Sequence, residues 1–159
     1  MKILMDSDCL IKLTKAGLKE YICQEYEITI PTVVKKEVVD VGKSKGLPDA
    51  ELVEKNIQKD TLRVIGKESL FHTKGDQALI EIFKRGRYDA VATDDAKLIR
   101  LLRSTGIPFI LPGLLIYSLY QNNIIRKATA LNWLEKLSTF ISEDEYNMIK
   151  FLLEKNHES

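Results

Sequence analysis

At 159 residues the chain has the size of one domain and is long enough to bury a substantial core. Its 45% hydrophobic and 30% charged content is ordinary for a globular protein, and no apolar run reaches the roughly 20 residues that would cross a bilayer. With 24 basic against 23 acidic residues the net charge is +1, which excludes a whole-chain electrostatic attraction to nucleic acid.

In chain order, Lys2 to Met5 reads as a short buried parallel strand that ends at Asp6. A helix is expected from Cys9 to about Ala16, stopped by Gly17, and Glu27 to Ile30 forms a second strand. Pro31 stands where a helix would begin, with Val33, Val34, Glu37, Val38 and Val41 at helical spacing before Gly42. The segment from Val41 to Pro48 is expected to be a surface loop, Ala50 to Ile57 a helix, and Thr61 to Ile65 a strand with Leu62 and Val64 on one face. Gly75-Asp76 opens a helix that Gly86 closes, Ala90 to Thr93 is a strand, and Asp95 to Ser104 a helix. Ile107 to Leu111 supplies a last strand before Pro112-Gly113. From Leu114 to Lys155 the pattern is nearly all helical, and Ser142 with Glu145 is a capping-box signature for the final helix. Alternating short strands and helices argue an α/β fold with a parallel sheet covered on both faces.

Cys9 and Cys23 make neither a zinc spacing nor a disulfide framework, and Cys9 is expected in the core. The N-terminus does not resemble a signal peptide, so a cytoplasmic location is expected.

Several isolated acids fall at the edges of apolar elements: Asp6, Glu37, Asp76 and the pair Asp94-Asp95. A carboxylate at the end of a buried strand is costly unless something pairs with it. Acids arriving from distant parts of one chain suit a hard divalent cation, Mg²⁺ or Mn²⁺, which prefers oxygen ligands. In open parallel sheets ligands bind beyond the carboxyl ends of the strands, where Asp6 and Asp94-Asp95 lie. Each acid also has a purely structural explanation. Asp6 would begin a turn, Asp76 would favour a helix start, Glu37 would be solvated, and Asp94 or Asp95 would cap a helix.

Met5-Asp6-Ser7-Asp8-Cys9-Leu10-Ile11, Lys36-Glu37-Val38, Gly75-Asp76-Gln77-Ala78-Leu79 and Val91-Ala92-Thr93-Asp94-Asp95-Ala96-Lys97-Leu98 occur in that order. They resemble the four acidic motifs of PIN-domain ribonucleases, VapC-like proteins of prokaryotes among them. The resemblance implies a three-layer α/β/α sandwich around a parallel sheet over residues 1–112, with residues 113–159 a C-terminal helical extension packed on it or at a dimer interface. It implies further that Asp6, Glu37 and Asp76 are the first three catalytic and metal-binding acids and that the fourth falls on the Asp94-Asp95 pair, where alignment to a Thr-x-Asp pattern slightly favours Asp95 and leaves Asp94 to serve or assist. Ser7 and Thr93 would hydrogen-bond those ligands. Asp8 departs from the family, which often has Asn or Ser there, and adds negative charge near the site.

The function implied is Mg²⁺- or Mn²⁺-dependent hydrolysis of RNA phosphodiesters, leaving a 5′-phosphate and a 3′-hydroxyl. Such an endoribonuclease serves as the toxin of a toxin–antitoxin pair, restrained by a small antitoxin-like protein, or as an RNA-processing enzyme. A homodimer through the apolar tail is compatible with either role, and no membrane association is implied. Two alternatives stand beside it. Asp6-Ser7-Asp8 after an apolar strand imitates the nucleophile motif of haloacid-dehalogenase-like phosphatases, although Leu10 and the absence of a glycine before Asp94 depart from that pattern. A PIN-fold module that binds a partner protein without catalysis is the other.

Overall fold

The computed structural model describes residues 1–35, 38–39, 43, 46, 48–58, 62–65 and 75–155. Five strands, β1 (Lys2–Met5), β2 (Glu27–Pro31), β3 (Arg63–Ile65), β4 (Ala90–Ala92) and β5 (Phe109–Ile110), make one parallel sheet in the order β3-β2-β1-β4-β5. Helices lie on both of its faces, so the fold is the three-layer α/β/α sandwich expected.

Strand alternation explains the layers. Ile3 and Met5 project to one face and Leu4 to the other, and in β4 Ala90 and Ala92 oppose Val91 in the same way. All of these residues are buried, as a parallel strand covered by helices on both sides requires. On the first face lie α1 (Ser7–Lys15), α2 (Lys19–Glu25) and three C-terminal helices, α7 (Pro112–Gln121), α8 (Lys127–Leu137) and α9 (Glu143–Lys155). Leu115, Leu119, Trp133, Leu137, Ile149 and Leu153 share one apolar core with Ile3, Met5, Ile28 and Ile30. The second face carries α5 (Gly75–Arg85) and α6 (Ala96–Ser104), which bury Leu79, Ile82, Leu98 and Leu102 against Leu4 and Val91. Two further helices, α3 (Thr32–Lys35) and α4 (Pro48–Gln58), follow β2.

The elements depart from the sequence reading in a few places, each with a local cause. The first helix starts at Ser7 rather than Cys9, because Asp6 caps it and accepts the Cys9 N–H at 2.8 Å. Pro31 belongs to β2, paired in register with Ile65, and the helix begins at Thr32. Helix α2 has no counterpart in the sequence reading: it is short and has no side-chain cap, so neither length nor a start signal marks it. Pro112 is the first residue of α7, where its missing N–H costs nothing. Most of the loop expected between Val41 and Pro48 lies outside the described residues, as does Glu37.

Candidate active site

The strand order reverses between β1 and β4, since β2 and β3 lie to one side and β5 to the other. Connections after β1 and β4 therefore diverge to opposite faces and leave a crevice at their carboxyl ends, the usual binding place in such sheets. Register puts Ile3, Leu4 and Met5 beside Ala90, Val91 and Ala92, so the next residues, Asp6 and Thr93, meet across the crevice.

Asp6 is held at both oxygens. Its Oδ1 accepts the Cys9 N–H at 2.8 Å, and the Thr93 hydroxyl donates to its Oδ2. The same hydroxyl accepts the Asp95 N–H at 3.1 Å, which shapes the turn into α6. Asp6 is only 6% exposed. Burial pushes its pKa up to about 7; the hydrogen bonds from Thr93 and Cys9 oppose that rise, while the charges of Asp8 and Asp94 add to it.

Asp94 lies beside it. Lys12 donates to Asp94 Oδ2 at 2.6 Å, bridging α1 to the β4–α6 turn. Asp94 Oδ1 is buried and has no hydrogen-bond partner among the described residues. The adjacent Asp95 has a different role as the N-cap of α6, its Oδ1 accepting the Lys97 N–H at 3.0 Å. Asp76 sits in the first turn of α5, half-buried.

Sequence reasoning passed over Glu145 as a site residue. Ser142 does cap α9 as expected, accepting the Glu145 N–H at 3.0 Å, but the glutamate side chain does not return to Ser142. Instead its Oε2 accepts the Gly113 N–H at 3.0 Å, at the start of α7. Glu145 is 6% exposed, and burial raises its pKa to about 6; the Gly113 hydrogen bond and Lys12 oppose that rise and Asp94 adds to it. The capping-box spacing accounted for this acid too readily, and only its contact with a residue 32 positions away exposes the second role.

A cleft of about 650 Å³ opens beside these groups, with Asp94, Arg100, Arg103, Ser142, Glu145 and Met148 on its walls. Lys12 faces Asp94, Asp8 and Glu145; burial lowers its pKa, but the hydrogen bond and charge of Asp94 outweigh burial and leave it raised. Burial likewise raises the Cys9 thiol far above its ordinary value, so Cys9 offers no thiolate nucleophile.

A PIN-domain family model matches residues 2–155. The chain belongs to the PIN-domain family. PIN domains are a nuclease-type fold, generally use divalent metals and act on RNA, so a hydrolase is the class of activity this membership supports. The match runs through α7, α8 and α9 as well as the sheet. No curated protein and no solved structure matches the chain significantly.

The crevice can be tested as a seat for a divalent ion. Among the described residues, no three His, Cys, Asp or Glu side chains gather into a ready-made metal cage. Mg²⁺ does not need one, because it keeps several waters and is usually held by one or two carboxylates together with substrate phosphate. Asp6 and Asp94 would supply that pair, and among the described residues the buried Oδ1 of Asp94 has no hydrogen-bond partner. The residues present fit the ion.

Proposed function

We propose that this PIN-domain protein is a Mg²⁺- or Mn²⁺-dependent endoribonuclease with Asp6 and Asp94 as its principal metal ligands. The observation that carries this reading is the buried carboxylate oxygen of Asp94, without a hydrogen-bond partner among the described residues, at the strand-order switch and beside an Asp6 whose pKa is raised to about 7. Two adjacent buried acids, one of them paired with Lys12, suit a further cation better than they suit structural support.

Against the slight lean of the Thr-x-Asp pattern to Asp95, Asp94 is favoured as the fourth acid because its Oδ1 is buried without a hydrogen-bond partner among the described residues, whereas Asp95 accepts the Lys97 N–H as the α6 cap. Asp76, at the helix start, and Glu37 remain the candidate partners that position water or a second ion, as the family resemblance implies. Thr93 and the Cys9 amide hold Asp6 by both oxygens and fix the direction in which it presents its lone pairs. Arg100 and Arg103, one helical turn apart on the cleft wall, are placed to hold the phosphates of an RNA strand leading to Asp94. A divalent ion at such a centre supplies Lewis-acid activation of water and stabilises charge at the phosphate. Hydrolysis by water leaves a 5′-phosphate and a 3′-hydroxyl. The same chemistry serves a toxin restrained by a small antitoxin-like protein or an RNA-processing enzyme. Family membership favours it over the phosphatase alternative.

The direct test is cleavage of end-labelled single-stranded and structured RNAs with Mn²⁺, with Mg²⁺ and with EDTA, alongside Asp6→Asn. Metal-dependent cuts that disappear in the variant are expected. Absence of both cleavage and Mn²⁺ binding by calorimetry would replace the nuclease with the non-catalytic binding module.

A further inference from the structure

Lys12 occupies an unusual position for a lysine. It lies in the last turn of α1, and that helix opens at the Asp6 cap, so the first acid and the lysine are held on one rigid element. Asp8 stands one turn before it, and across the crevice its ammonium meets Asp94 at 2.6 Å with Glu145 also in range of its charge. The Asp94 side chain is 8% exposed, whereas that of Lys12 is 29% exposed. The carboxylate is therefore the more deeply buried partner, while the lysine side chain, on a flexible stem, remains partly exposed. Among the described residues, one of the two Asp94 oxygens is satisfied and the other is buried with no hydrogen-bond partner. A structural ion pair inside a protein is expected to satisfy both oxygens, because a half-paired buried carboxylate carries a desolvation cost that its partner does not offset.

We infer that Lys12 is the resident cation of this site, holding Asp94 until a divalent ion takes the carboxylate and then turning its ammonium to the phosphate of the bound RNA. This assignment rests on the metal-dependent ribonuclease reading and adds to it a substrate-contacting residue outside the four acids. Its exposed edge and long stem give Lys12 the reach to exchange partners. An ammonium on Oδ2 repels a divalent ion arriving at Oδ1, so Lys12 opposes metal entry, and its departure relieves that repulsion. A purely structural Lys12, which serves to hold Asp94 in place, makes the opposite demand: its loss would weaken the metal site.

The sign of one measurement separates the two roles. Lys12→Gln removes the charge and keeps a hydrogen-bond donor for Asp94. By calorimetry on the full chain, Mn²⁺ is expected to bind Lys12→Gln roughly tenfold more tightly than wild type. The rise in Tm on adding Mn²⁺ is expected to be larger in the variant, a second readout that does not depend on activity. At saturating Mn²⁺ the KM for RNA is expected to increase about tenfold, with Lys12→Arg restoring most of it. Unchanged or weaker Mn²⁺ binding by Lys12→Gln, or an unchanged KM, would overturn the assignment while leaving the ribonuclease intact. Failure of the wild-type protein to bind Mn²⁺ would instead remove both.

Discussion

Glu145 Oε2 accepts the backbone N–H of Gly113 at 3.0 Å, fastening the last helix of the chain to the first turn of α7. An acid at a helix N-terminus satisfies an amide that the helix cannot and meets the positive end of its dipole. The same contact brings the C-terminal helix to the wall of the cleft that holds Asp94. Fold and site thus share one hydrogen bond.

Gly113 has no room for a side chain. A Cβ there would meet Ile149 Cγ1 at 2.7 Å and Glu145 Oε2 at 3.2 Å, and Ile149 is fully buried. Gly113→Ala is expected to destabilise the protein by about 1–3 kcal/mol through overpacking. Glu145→Gln, which keeps an oxygen for the amide, is expected to cost less than Glu145→Ala. Thermal denaturation of the three variants tests the order.

Thr93 is completely buried, and its hydroxyl serves both Asp6 and the Asp95 amide. Thr93→Val preserves shape and removes both bonds, at an expected cost of about 1–3 kcal/mol for the groups left unsatisfied. With Asp6 released on one side, cleavage is expected to fall roughly 10- to 100-fold. Cleavage by Thr93→Val at the wild-type rate would show that Asp6 needs no such orientation.

Asp94 and Asp95 are neighbours in sequence with separate roles. Asp95→Ala is expected to lose the α6 cap, costing about 1 kcal/mol, and to retain most cleavage. Asp94→Asn is expected to abolish cleavage and Mn²⁺ binding. Equal losses in the two variants would place the fourth acid on the pair rather than on Asp94.

Asp6 and Glu145 make the metal-free protein sensitive to pH. Each carboxyl has a raised pKa in the folded chain, about 7 and about 6, so the folded state retains protons that the unfolded chain has already released. Their stabilising contribution is complete below the ordinary carboxylate range of about 4 and disappears as pH climbs through about 7. Tm measured in EDTA is expected to fall between about pH 4 and about pH 7, less steeply for Asp6→Asn. Saturating Mn²⁺ should remove most of that slope, since the ion takes over the charge compensation. Denaturation curves with and without metal decide it.

The apolar run Ile3-Leu4-Met5, the alternation of short strands with helices, the glycine stops and the helical spacing of the tail made the parallel sheet and its covering helices legible from sequence, because periodicity and backbone restriction act locally. The order of the acidic motifs made the family legible as well. Helix α2, short and uncapped by a side chain, carried no such local signal. Between Asp94 and Asp95 the Thr-x-Asp pattern leaned slightly to Asp95, but sequence could not show how the two divide their roles. One points to Lys12, 82 positions away, while the other caps its own helix, and that division depends on where α1 packs across the sheet. Glu145 shows the same limit: its spacing to Ser142 encoded a cap, but the position of Gly113 redirected its carboxylate. Local chemistry was enough to select strands, helices and candidate acids. Only tertiary packing decided which carboxylates lost water, which gained a partner and which oxygen was left without one, because desolvation and pairing are properties of the folded surroundings.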